Sequence, residues 1–281
     1  MIPPLPAELV RDTIRRAFAE DVTGAGDTTS LAVIPPGATG TFEIRARENG
    51  VVCGMQAAVE AFCQAGPEIS LDVMANDGDP AEPGETVLIA AGNVRDILFA
   101  ERTALNFLGR MSGIATLTRR YVDAVVGTKA KIVHTRKTAP GLRAFEIQAV
   151  RAGGGAPHRY SLSDAVLIKD NHIAAAGSPA AAVRAARAHV GHMVRVSCEI
   201  DRLEDLSSVM KAGADVVLLD NFAPQDLEAA VVQAAGRVVL EASGGVTLDT
   251  VADIAATGVD IISVGALTHS APNVDFGLDA V

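Results

Sequence analysis

Residues 215–245 read DVVLLDNFAPQDLEAAVVQAAGRVVLEASGG. Two short apolar runs, DVVLL around Leu218 and RVVLE around Val239, bracket the alanine-rich segment PQDLEAAVVQAAG. Short apolar runs bounded by turn residues fit buried strands, and the segment between them has the composition of a helix. The same unit recurs on either side. Further runs stand at KIVH near Val133, DAVLI near Leu167, VRVSC near Val196 and DIISV near Ile262. Between the later ones lie the helical stretches SPAAAVRAARAHV, LEDLSSVMKAG and LDTVADIAATG. These strands return about every 22 residues, enough for one strand, one helix and two short loops. Such βα units build a parallel sheet. Six runs are too few for a closed eight-stranded barrel. The pattern therefore predicts an incomplete α/β barrel or an open doubly wound sheet, and either places its functional loops at the C-terminal strand ends.

Upstream of this region the pattern is α+β. Residues from Ala7 to Glu20 predict an amphipathic helix, followed by the loop EDVTGAGDTTS. TFEIRARENGVVCG alternates like a half-buried strand, VEAFCQAG reads as a helix, and PAEPGETV, Pro80 to Val87, reads as a turn-rich connection before the apolar VLIAAG. Val94 to Val126 is helical, with Gly109 and Gly113 expected to break or kink it. GAGD at Gly24 to Asp27 is no dinucleotide fingerprint, because no strand leads into it.

Composition narrows the function classes. With 49 % hydrophobic and 21 % charged residues over 281 positions, the chain can build a substantial core. Its net charge of −10 argues against a nucleic-acid binder. Cys53, Cys63 and Cys198 stand at no metal-like spacing, and their odd number argues for reduced thiols. The N-terminus MIPPLPAELV lacks a signal-peptide pattern, and no apolar run is long enough to span a membrane. The expectation is a cytoplasmic protein without membrane or nucleic-acid partners.

Chemistry gathers just after the apolar runs: Thr135-Arg136-Lys137, Lys169-Asp170-Asn171, Glu199 with Asp201, Asp220-Asn221, Ser243-Gly244-Gly245, and Gly265. His158 and Arg159 lie in the loop before the second run. One Lys or Arg after a strand is ordinarily a solvated surface residue. Arg136, Lys137 and Lys169 at aligned strand ends of an acidic chain instead point to an anionic substrate. Glycine-rich turns after the last two strands suit a phosphate. Glu199 and Asp220 form a carboxylate pair of the kind that holds Mg²⁺ together with substrate phosphates. His134, within an apolar run, reads as a core histidine, and His189 and His192 as surface residues. The residues alone therefore indicate an α/β-barrel enzyme acting on a polyanionic, phosphorylated small molecule.

Longer motifs carry a resemblance. HTRKTAPGLRAFEIQAVRAGGGAPHRYSLSDAVLIKDNHI resembles the signature stretch of the quinolinate phosphoribosyltransferases. ERTALNFLGRMSGIAT, DVVLLDNF, LEASGGV, DIISVGALTHSAP and the N-terminal EDVTGAGDTTS resemble the family's other blocks in the same order. The resemblance runs from about Ala7 to Leu278. It implies an N-terminal α/β sandwich over residues 1–110 and an incomplete barrel of six or seven strands over residues 111–281, the type II phosphoribosyltransferase architecture, with a possible C-terminal return to the first domain. It also implies a homodimer with shared sites, a hexamer staying open.

Carried over by motif, Arg136, His158 and Arg159, assisted by Thr135 and Lys169, would bind quinolinate, and Arg102 of ERT would reach in from the partner chain. Lys137 and Lys169 would stand between quinolinate and the phosphates. Glu199 and Asp220 would lie near the ribose hydroxyls and Mg²⁺. Ser243, Gly244 and Gly265 would contact phosphate. Ser197 departs from the pattern, since many relatives carry an extra acidic residue there. The implied reaction converts quinolinate and phosphoribosyl pyrophosphate into nicotinate mononucleotide, pyrophosphate and carbon dioxide, as a step in NAD synthesis. Competing readings are a paralogue of the same fold associated with molybdate uptake, a nicotinate phosphoribosyltransferase, and a non-catalytic phosphate-metabolite binder.

Overall fold

A computed structural model describes residues 2–22, 24 and 26–281. Two positions of the expected N-terminal loop, Thr23 and Ala25, lie outside the described residues. The chain runs α1 (Ala7–Asp21), α2 (Thr28–Val33), β1 (Thr39–Ala46), β2 (Gly50–Val51), α3 (Met55–Ala65), β3 (Ser70–Val73), β4 (Pro80–Ala81), β5 (Thr86–Asn93) and the long α4 (Val94–Ala124). There follow β6 (Lys131–Val133), α5 (Arg143–Ala152), β7 (Val166–Ile168), α6 (Asp170–Ala176), α7 (Pro179–His189), β8 (Val196–Ile200), α8 (Leu206–Ala212), β9 (Val216–Asp220) and α9 (Pro224–Ala234). The chain closes with β10 (Val239–Ser243), α10 (Val251–Ala256), β11 (Ile261–Ser263), α11 (Ala266–His269) and β12 (Phe276–Ala280).

Two compact units divide these elements. The first comprises residues 1–119, 139–154 and 270–281. Its antiparallel sheet has the order β12-β1-β5-β3, so the last strand of the chain pairs with the first. Ile14, Ile44, Phe62, Leu88, Ile97, Leu108, Ile114 and Phe145 fill its core. Asp27 starts α2 by accepting from the N–H groups of Thr29 and Ser30 at 3.1 Å each, which explains the acidic residue that ends the GAGD turn.

Gly109 and Gly113 do not break the helical segment, for α4 runs unbroken through both. They answer to tertiary packing instead. A Cβ on Gly109 would stand 2.9 Å from the Val274 carbonyl oxygen, and one on Gly113 would collide with that of Pro272. The glycines thus let the C-terminal segment lie directly on the helix backbone, and Val274 N–H donates to Gly109 O at 3.0 Å. Gly153, in the GGG run, likewise leaves room for the Ala115 carbonyl.

The second unit comprises residues 120–138 and 155–269. All six apolar runs are strands of one parallel sheet in the order β6-β11-β10-β9-β8-β7. The first and second strands in sequence, β6 and β7, stand at opposite ends of that order, so the barrel is open between them. Ala156 makes an isolated parallel bridge to Val133 on the free edge of β6, its N–H donating to Ile132 O at 2.8 Å. The strand count is therefore six, with one bridging residue where a further strand would start. Carboxylates secure the N-terminal edge: Asp215 accepts from Val196 N at 2.7 Å and Asp260 from Leu240 N at 2.9 Å. That leaves the C-terminal edge for chemistry.

Among the described residues, no helix is long and apolar enough to cross a membrane. Cys53 and Cys198 are buried and Cys63 is exposed, all three as free thiols. Burial, with Glu199 and Asp205 nearby, pushes Cys198 up to about 12. Burial, reinforced by Asp77, raises Cys53 well above the ordinary thiol value.

Two outcomes follow. Gly113→Ala must displace the Pro272 backbone, so we expect a loss of about 1–3 kcal/mol or more in denaturant unfolding. Gly191→Ala, which meets nothing within 4 Å, is the control and should leave stability nearly unchanged. Thiol labelling of the native protein at pH 8 should modify Cys63 and spare Cys53 and Cys198, because a thiol near pKa 12 is ionised only on the order of once in 10⁴ molecules. Denaturant should make all three reactive.

Candidate active site

At the C-terminal edge of the six-stranded sheet lies a cavity of about 760 Å³. Alternation along each strand decides which side chains enter it, since residues two apart share a face. On β9 these are Leu218 and Asp220, and on β10 Glu241 and Ser243. The register sets Leu218 level with Glu241 and Asp220 level with Ser243, so the strands present their residues in layers. Thr135, Arg136 and Lys137 enter after β6, Lys169 after β7, and Glu199 from β8. Gly265 follows β11, and His269 ends α11.

His158 and Arg159 come from the segment that follows the Ala156 bridge. His134 is fully buried, as its place in an apolar run predicts, and its Nε2 accepts from the His158 N–H at 3.1 Å. A core histidine thus anchors the strap that carries two of the cavity's basic residues. His189 and His192 are exposed, also as expected.

Eleven of the twelve residues expected from the sequence line this one cavity: Thr135, Arg136, Lys137, His158, Arg159, Lys169, Glu199, Asp220, Ser243, Gly244 and Gly265. Arg102 is not among them. It is exposed on the first unit, where it lines two separate depressions of about 500 Å³ and about 200 Å³. Sequence reasoning passed over Glu241, Thr247 and His269. Glu241 is concealed in the run RVVLE, although its spacing of two from Ser243 marks the shared face. His269 ends a short helix, and its Nε2 lies 3.2 Å from where a Gly265 Cβ would stand.

The cavity is strongly charged. Arg136, Lys137, Arg159 and Lys169 face Glu199, Asp220 and Glu241. Lys169 Nζ bonds Glu199 Oε2 at 3.0 Å, and Asp220 accepts from Asn221 Nδ2 at 2.8 Å. Burial lowers the Arg159 pKa from its ordinary value and the charge of Arg136 lowers it further, while Glu241 and Asp164 act in the opposite sense. The Nε of Arg136 is buried without a hydrogen-bond partner. Two crowded guanidinium groups, one with an unused buried donor, form a receptor for carboxylate or phosphate oxygens.

Backbone geometry completes the rim. Asn221 adopts φ +57° after β9, and its N–H donates to Ser243 O at 2.9 Å. Gly244, at φ +91°, must lack a side chain, because a Cβ there would collide with the Asn221 amide. Tyr121 donates its hydroxyl to Val246 O at 3.4 Å, bracing the same turn. A turn with successive positive φ angles at Gly244 and Gly245 brings main chain close to a bound anion. For a divalent cation the donor chemistry fits: Glu199 and Asp220 are two cavity carboxylates, the number Mg²⁺ takes when substrate phosphates supply further oxygens.

Comparison with known proteins places this geometry. Residues 27–112 match the model of the quinolinate phosphoribosyl transferase N-terminal domain, and residues 114–279 that of the C-terminal domain. The chain is 45 % identical over 279 residues to the nicotinate-nucleotide pyrophosphorylase (carboxylating) of Mycobacterium leprae, covering 97 % of each chain. It is 43 % identical to the probable enzyme of the same name from Methanothermobacter thermautotrophicus, covering 95 % of this chain and 98 % of that one. Among solved structures, the nicotinate-nucleotide pyrophosphorylase from Francisella tularensis superposes with a TM-score of 0.95 at 38 % identity, over 100 % of this chain and 99 % of that one. With the two domain models in sequence along the chain and the cation-rich cavity at the strand ends, the chain belongs to the quinolinate phosphoribosyltransferase family.

Proposed function

We propose that this protein is the decarboxylating quinolinate phosphoribosyltransferase, joining quinolinate to phosphoribosyl pyrophosphate and releasing nicotinate mononucleotide, pyrophosphate and carbon dioxide. The observation that carries the reading is the single cavity in which four cationic side chains, two strand-end carboxylates and two glycine turns converge. Membership of the family supplies the substrate class.

Arg136 and Arg159, with His158 and Thr135, clamp the two carboxylates of quinolinate, a task suited to planar guanidinium forks. Lys137 and Lys169 lie between that site and the phosphates. Ser243, Gly244 and Gly265 seat the 5′-phosphate and pyrophosphate through main chain and hydroxyl. Glu199 and Asp220 orient the ribose hydroxyls and would hold Mg²⁺, which when bound supplies charge neutralisation for the pyrophosphate.

The anomeric C–O bond breaks with its electron pair leaving on pyrophosphate, and the quinolinate nitrogen forms the new C–N bond. The nitrogen becomes cationic. The adjacent C–C bond then breaks to release carbon dioxide, and its electrons remain on the ring carbon, stabilised by that cation until a proton is taken up. The protein's part is to hold the nitrogen near the anomeric carbon and to balance charge where it develops. The active form is a cytoplasmic homodimer in which Arg102 of the partner subunit completes the quinolinate clamp. The exposed position of Arg102 on the first unit supports this reading.

The direct test is an assay with Mg²⁺, phosphoribosyl pyrophosphate and carboxyl-labelled quinolinate. Labelled carbon dioxide and nicotinate mononucleotide should appear in equal amounts. Transfer to nicotinate but not to quinolinate would overturn the assignment in favour of a nicotinate phosphoribosyltransferase. Arg136→Ala should raise the quinolinate KM or abolish turnover with little effect on folding; near-normal kinetics would remove Arg136 from the clamp. Shared sites predict complementation. Arg102→Ala and Lys169→Ala homodimers, each inactive, should on subunit exchange regain about a quarter of wild-type activity, since half the dimers are mixed and each of those has one intact site. No recovery despite exchange would place each site within one chain.

A further inference from the structure

Glu241 has no role in the scheme above, yet it sits in the cavity at 4 % exposure. It lies one layer beneath Ser243 on the inward face of β10. Its Oε1 is buried without a hydrogen bond and stands 3.4 Å from His158 Nε2. The other ring nitrogen of His158, Nδ1, is also buried and has no protein partner. A buried carboxylate costs several kcal/mol unless a cation faces it. The cationic groups that can answer this one are the imidazole of His158 and the guanidinium of Arg159, whose charge Glu241 supports against the neighbouring Arg136.

The hydrogen-bond network restricts the alternatives. His134 Nε2 accepts from the His158 backbone N–H, and His134 Nδ1 lies 3.2 Å from Thr135 O. His134 is therefore the tautomer with its proton on Nδ1, and its ring, edge-on at 6.2 Å, adds no charge. His158 differs, since its Nε2 faces the buried Glu241 carboxylate at 3.4 Å. If Nε2 alone carried a proton, Nδ1 would present a lone pair to an incoming carboxylate and repel it. Only the doubly protonated ring donates on both sides.

We propose that Glu241 is a positioning residue for the quinolinate reaction, holding His158 as an imidazolium whose Nε2–H is spent on Glu241 and whose Nδ1–H is directed at a carboxylate of the substrate. Glu241 acts through His158 and does not itself touch the substrate. The inference rests on the functional reading above, so wild-type turnover of quinolinate is measured first.

The test is steady-state kinetics on E241Q, H158Q and the double variant, with folding checked by circular dichroism. Glu241→Gln keeps shape and removes charge. It should raise the quinolinate KM about tenfold or more and leave the phosphoribosyl pyrophosphate KM within about twofold. In the H158Q background E241Q should add no further loss beyond about twofold, because the two residues act as one unit. Independent, multiplying losses, equal rises in both KM values, or unchanged kinetics in E241Q would each overturn the proposal. If E241Q does not fold, E241D and E241N, matched in size and differing in charge, make the same comparison. A wild-type enzyme that does not turn over quinolinate would refute the functional reading instead.

Discussion

Parallel pairing obliges every strand of the second unit to finish at the same edge, and the cavity depends on this constraint. Six chain segments far apart in sequence deliver their following residues to one mouth without any special loop. The layered register then sorts those residues by depth: Leu218 and Glu241 lie lower, and Asp220 and Ser243 at the rim. With only six strands the sheet does not close, and the free edge of β6 must find another partner. The Ala156 bridge supplies one, and the segment that makes it brings His158 and Arg159 into the cavity. The missing part of the barrel is thus where part of the anion receptor enters.

Electrostatics gives the cavity its preference. The chain carries a net charge of −10, yet Arg136, Lys137, Arg159 and Lys169 are collected in one concavity. Low-dielectric walls strengthen the charges of the half-buried Arg136 and Arg159, while Lys137 and Lys169 stay exposed. The cost shows at Arg159, where burial and Arg136 both work against the charged form. An anion bound between the two guanidinium groups relieves that opposition. Carboxylates placed nearby moderate it beforehand, with Lys169 bonded to Glu199 and His158 facing Glu241.

Much of this was legible in the sequence because a βα repeat writes its function at fixed places. Each apolar run is a strand, and most of the polar residues just after it line the cavity, although Asp170 and Asn171 begin α6 and, with Asp201, do not. The misses have physical causes. Glu241 sits inside a run that looks uniformly apolar, and only a period-two reading back from Ser243 reveals its face. Gly109 and Gly113 look like helix breakers because local propensity is all that a sequence window contains. Their real partners, Val274 and Pro272, lie far along the chain. Arg102 is a different case, for its motif was recognisable but its side chain belongs to the first unit, where it lines depressions of that unit's own residues.

The pairing of β12 with β1 has a consequence for proteolysis. A cut just after His269 would leave all six strands of the parallel sheet in place. The first unit would not be spared. Its sheet would lose an edge strand, and the glycine face of α4 would lose the cover that Pro272 and Val274 give it. The same cut would bare the edge of β1 to unwanted strand pairing.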